Sequence, residues 1–249
     1  MEESAFIAET IAGVVFLVIG VRLLQLSMRT GEKPERLLGA SFLLWGLCYQ
    51  FFGLPIMLAD DSLQPSCYFA GRLCLAAAAI PFAVFTQMVF RPKSRLAAGL
   101  VAAISACLVA GLASSLWLGN WENLNPLSNP WWWPEWVAQT ATLFWMAGEA
   151  LSQFSKSRQR RRLGLCEPLV SNRYLLWGLA SAIWVLVQVV VLVQDITFER
   201  TGVWGASFDI QVGALELAAI AMVWTTFFPP AFYRRWINGT APTANKAES

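Results

Sequence analysis

No histidine occurs anywhere in this chain of 249 residues. That removes the commonest metal ligand and general base, and with it histidine-anchored haem, histidine-ligated zinc hydrolases and Ser-His or Cys-His nucleophiles. Charge is scarce too: Asp, Glu, Lys and Arg make up 14% of the chain, against roughly 25% in a water-soluble domain. The four lysines are Lys33, Lys93, Lys156 and Lys246. All fall between or after the apolar runs, so no seventh-helix lysine is there to hold retinal as a Schiff base. The five cysteines form no C-x-x-C pair and read as reduced packing residues. No metal, haem, retinal or other cofactor is expected, and no nucleic-acid partner.

What the chain has in quantity is apolar sequence, with 57% hydrophobic residues and a mean hydropathy of +0.52. The runs are about 20 residues long, the length that crosses a hydrocarbon core. They predict an all-α integral membrane protein, a single domain built as a seven-transmembrane-helix bundle. The spans fall near 5–27, 37–59, 67–90, 96–118, 134–155, 171–194 and 210–232, with a short tail over 233–249. The first run lacks a basic leader and a small-residue cleavage site, so it reads as a retained span.

Orientation follows from the basic residues. Arg29, Lys33 and Arg36 follow the first span, Arg91, Lys93 and Arg95 the third, Lys156, Arg158, Arg160, Arg161, Arg162 and Arg173 the fifth, and Arg234, Arg235 and Lys246 the seventh. The positive-inside rule then puts the N-terminus outside and the C-terminus in the cytoplasm, in a plasma membrane and most simply a bacterial inner membrane. The run Lys156–Arg162 is expected to meet anionic lipid headgroups or an acidic cytoplasmic protein. The other side is acidic, with Glu2, Glu3, Asp60, Asp61, Glu122, Glu135, Asp195, Glu199 and Asp209.

Ionisable groups inside spans are costly and are therefore functional candidates. Arg72 and Glu216 each lie roughly 8 Å in from the outer surface at 1.5 Å per residue. They are placed to pair, with Asp209 and Gln211 nearby. Arg22 and Glu149 lie at matching inner depths, with Gln153 one turn below Glu149. Snorkelling to the headgroups is the simpler account of Arg22, but a carboxylate is too short for that. Trp131, Trp132, Trp133 and Trp136 open the fifth span around Pro134. They read as an interfacial aromatic belt, with a lid over an outward ligand pocket as the alternative.

Two patterns bear on assembly. Ala98, Ala102, Ala106, Ala110 and Ser114, and beside them Gly99, Ala103, Cys107, Gly111 and Ser115, form small-residue stripes on the fourth span. Such stripes let helices approach closely, either within the bundle or in a homodimer. The string Leu-Leu-Trp-Gly-Leu occurs at 43–47 and again at 175–179, as it would if three-helix repeats flanked a linking fourth helix.

The functional expectation is a receptor-like sensor or accessory subunit that binds a small molecule or lipid in an outward pocket and signals through a separate protein. The alternative is a small transporter or channel that moves protons, cations or a small solute through Glu149 and Glu216. Catalysis is not expected, because no nucleophile–base or metal-binding constellation is present.

Overall fold

A computed structural model describes the backbone of residues 3–58, 61–118, 129–201 and 206–239. Among the described residues eight helices follow one another: α1 (Glu3–Thr30), α2 (Lys33–Leu58), α3 (Gln64–Phe90), α4 (Arg95–Trp117), α5 (Trp132–Arg162), α6 (Pro168–Thr201), α7 (Ala206–Phe227) and α8 (Ala231–Gly239), with a 3₁₀ turn, Asp61–Leu63, before α3. Five segments are long and apolar enough to cross a membrane: Glu9–Thr30, Gln64–Phe90, Arg95–Trp117, Pro168–Phe198 and Ile210–Phe227. That is the make-up of an integral membrane helical bundle. α2 and α5 complete its seven long helices.

Local chemistry sets the helix ends. α1 stops at Gly31, which takes φ +74° and donates its N–H to the Ser27 carbonyl at 2.9 Å. α5 stops at Gly164, φ +72°, where the N–H groups of Gly164 and Leu165 return to the carbonyls of Arg161 and Arg160, a Schellman closure. Ser94 caps α4 by accepting the Ala97 N–H at 3.2 Å. Pro168 opens α6, in a first turn that needs no N–H. Pro81 lies within α3, which remains one helix.

Several expected boundaries move: α6 runs on to Thr201 rather than ending near 194, and α7 ends at Phe227 rather than near 232. The basic run from Lys156 is the last two turns of α5 rather than a linker, because a helix leaving the apolar layer keeps its internal hydrogen bonds while its side chains meet water. The tail expected from 233 begins as α8, which buries Ile237 and exposes Phe232, Arg234, Arg235 and Trp236. That division suits a helix lying along an interface.

Short connections make successive helices antiparallel neighbours. α1 packs along α2 and against α7, and α2 packs on α3; α5 packs along α6 and against α3, and α6 packs on α7. The two groups α1–α2–α3 and α5–α6–α7 thus use the same scheme of neighbours. The repeated pentapeptide sits at equivalent places in it, since Gly46 of α2 faces Leu17 of α1 and Gly178 of α6 faces Leu151 of α5.

The closest approach lies between α1 and α2. A β-carbon on Gly20 would stand 2.7 Å from the Leu43 nitrogen, and one on Gly46 would stand 2.9 Å from the Gly13 carbonyl oxygen. Glycine is therefore required at this seam. The fourth helix uses its small residues differently. Among the described residues α4 contacts only α3 and α5. It buries Ala97, Ile104, Leu108, Gly111 and Ser115, while Ala98, Ala102, Ala106, Ala110, Gly99, Ala103 and Cys107 face outward.

A matched pair of variants tests the seam. Gly20→Leu is expected to cost about 1–3 kcal/mol or more through overpacking, read as lower thermal stability in detergent. Gly99→Leu, introduced where nothing lies within 4 Å, is expected to leave the melting temperature unchanged.

Candidate ligand cavity

Because the helices alternate in direction, the first turns of α1, α3, α5 and α7 and the last turns of α2 and α6 share one end of the bundle. The basic residues Arg29, Lys33, Arg36, Arg91 and Lys93 mark the other end. The buried carboxylate at each end meets a different arginine, Arg72 within α3 or Arg91 just beyond its last residue.

Arg72, only 4% exposed, does not reach Glu216. Its Nη2 lies 2.5 Å from Glu135 Oε1 and 3.2 Å from Ser115 Oγ, and its Nε lies 3.3 Å from Glu135 Oε2. Charge patterning along the sequence places Glu135 on the acidic outer surface. It is instead buried, because Gly111 of α4 leaves room for it: a β-carbon there would stand 2.5 Å from Glu135 Cγ. The first turn of α5 thus turns Glu135 inward against α3 and α4.

Near the basic end, Glu149 accepts a hydrogen bond from Arg91 Nε at 2.7 Å and one from Trp145 Nε1 at 3.4 Å. Arg91 follows the last residue of α3, and the carboxylate beside it holds its guanidinium above its ordinary pKa. Arg22 is exposed on α1. Gln153 is half-buried one turn beyond Glu149.

Between these ends lies a cavity of about 240 Å³, bounded by side chains from α1, α2, α3, α5, α6 and α7. Its polar wall carries Glu9, Tyr49, Gln139, Ser181, Gln188 and Glu216. The Tyr49 hydroxyl donates to Glu216 Oε1 at 3.1 Å, whereas Glu216 Oε2 is buried with no hydrogen-bond partner. Arginine and lysine are missing from the described residues that line this space.

Toward the basic end the wall becomes aromatic. Phe16 stacks on Phe42 at 5.4 Å, Trp45 meets Phe82 edge-on at 4.8 Å, and Phe82 stacks on Trp177 at 6.1 Å. Trp177 in turn meets Phe227 at 5.8 Å. These rings, with buried Met146, stand between the level of Glu216 and that of Glu149, and Glu149 does not line the cavity. Both tryptophans of the repeated pentapeptide, Trp45 and Trp177, belong to this layer.

Several expected site residues lie elsewhere. Trp132, Trp133 and Trp136 pack on one another, with centroids 5.4–6.1 Å apart, and Trp131 is 37% exposed. None of the four lines the cavity, because the face of α5 turned to it carries Gln139, Thr142 and Leu143. Gln211 is exposed on α7. The side chains of Glu2, Glu3, Asp60, Asp61, Glu122, Glu199 and Asp209 lie outside the described residues. Lys156, Arg158, Arg160 and Arg162 are exposed and Arg161 is half-buried. Glu9, Tyr49, Trp184 and Gln139 were not anticipated. Glu9 was legible, as a carboxylate inside the first apolar run.

Among the described residues no three His, Cys, Asp or Glu side chains form a group suited to a metal ion. No family model matches the chain, and no curated protein or solved structure matches it.

A double-mutant cycle tests the reassigned pair. Arg72→Met is expected to destabilise by about 3–5 kcal/mol, the cost of an uncompensated buried charge. Adding Glu135→Gln should restore part of that stability, while adding Glu216→Gln should act additively. Thermal unfolding in detergent of the three single variants, Arg72→Met, Glu135→Gln and Glu216→Gln, and of the two doubles reads the difference.

Proposed function

We propose that the chain is a receptor-like membrane sensor or accessory subunit. In this reading seven helices span a plasma membrane with the N-terminus outside, and the cavity beneath Glu216 takes a small molecule from the outer side. The observation that carries it is the layer of packed rings between the cavity and Glu149. A pocket with polar and aromatic walls and a closed floor is built to hold a ligand. A conducting path needs polar continuity instead.

Binding is then relayed by a separate protein, for which Lys156, Arg158, Arg160, Arg161 and Arg162 at the end of α5 provide a basic contact face that also attracts anionic headgroups. The outward small residues of α4 suit a homodimer. Ala106→Leu is expected to reduce crosslinked dimer in membranes while the monomer keeps its melting temperature.

Transport is the second reading. What favours it is the shared neighbour scheme of α1–α2–α3 and α5–α6–α7 around one cavity, since paired three-helix units that rock about a central site produce alternating access.

One preparation separates the two. The purified protein in liposomes is expected to pass no protons or cations under an imposed gradient, and in nanodiscs to bind benzyl alcohol saturably, about one per chain. Saturable binding should be lost in Ala180→Phe, which fills the cavity from its wall. Flux that disappears in Glu216→Gln would replace the sensor by the transporter.

A further inference from the structure

We infer that the cavity is a site for an organic cation, an ammonium group carried on an apolar or aromatic body. This rests on the reading of the cavity as a ligand site and adds the chemical class of the ligand. Three observations converge. Two carboxylate side chains, Glu9 of α1 and Glu216 of α7, line one cavity whose described walls hold no arginine or lysine. Glu216 is 5% exposed, and it keeps one carboxylate oxygen, Oε2, buried without a hydrogen-bond partner while Tyr49 satisfies the other. Aromatic rings share the wall with them: Phe16 lies within ring-contact distance of Trp45, Tyr49 and Trp184, and Tyr49 within that of Trp184.

The contrast with the other buried carboxylates gives the argument its force. Glu135 meets Arg72 of α3 and Glu149 meets Arg91, the residue that follows α3. Glu216, equally buried, meets a tyrosine. A buried carboxylate without counter-charge is costly, and an ammonium entering beside Oε2 supplies both the missing charge and the missing donor. Indole and phenyl faces around it attract the same cation through their quadrupoles. The volume of about 240 Å³ limits the guest to one ring or a short alkyl chain beside the charged group.

The test compares two probes of one shape, benzylamine and its uncharged counterpart benzyl alcohol, titrated calorimetrically into the full chain in zwitterionic nanodiscs, with empty nanodiscs subtracted. Benzylamine is expected to bind at least about 10-fold more tightly, the return on a charged hydrogen bond together with cation–π contact. Glu216→Gln should erase that preference while leaving benzyl alcohol binding intact, which also shows that the variant folds. Trp184→Leu, which keeps an apolar wall and removes the ring, should weaken benzylamine more than benzyl alcohol. Equal binding of the two probes overturns the cation inference and leaves the ligand site standing. A preference for benzylamine that survives both Glu216→Gln and Glu9→Gln overturns it as well. Saturable binding of neither probe overturns the site itself.

Discussion

A carboxylate carried into a low-dielectric interior needs a counter-charge, and this bundle is arranged around how that need is met. α5 takes two glutamates into the protein, and the chain of α3 and its C-cap answers both, with Arg72 near one end and Arg91 just past the other. The paired charges allow a helix that is less apolar than its neighbours to lie inside the bundle. They also fix the rotation of α5, since Glu135 and Glu149 must face α3. The same rotation turns Gln139, Thr142 and Leu143 toward the central cavity.

Close packing supports the arrangement. Lipid tails are as apolar as leucine, so helices associate in a membrane through shape rather than through the hydrophobic effect. Glycines at the α1–α2 seam and Gly111 beneath Glu135 provide that shape. The aromatic layer follows from it, because Phe16 and Phe42 stack across the α1–α2 seam at 5.4 Å. Glu216 is then left beside packed rings, a buried carboxylate that meets Tyr49 where Glu135 and Glu149 meet arginines.

Much of the architecture was legible in the chain. Apolar runs located all seven long helices to within a few residues at most ends, and the scarcity of charge announced the membrane. Glu149 and Glu216 stood out as buried carboxylates, and both are buried. The partners were not legible. Arg72 was matched to Glu216 by depth alone, yet Glu135 lies at a similar depth on a helix that turns toward it. The tryptophans near 131–136 drew attention by their number, while single tryptophans at 45, 177 and 184 line the cavity.

The sequence by itself determined that the protein is helical, that it belongs in a membrane and roughly where its seven long helices run. Those properties follow from hydropathy and charge read along one dimension. Only the tertiary structure decided which carboxylate meets which arginine, which stripe of α4 faces outward, and that Glu216 is left with an unpartnered oxygen over an aromatic floor. The reason is rotational. A helix may be turned about its axis at no cost to its own hydrogen bonds, so the facing of each side chain is chosen by the neighbours against which it packs.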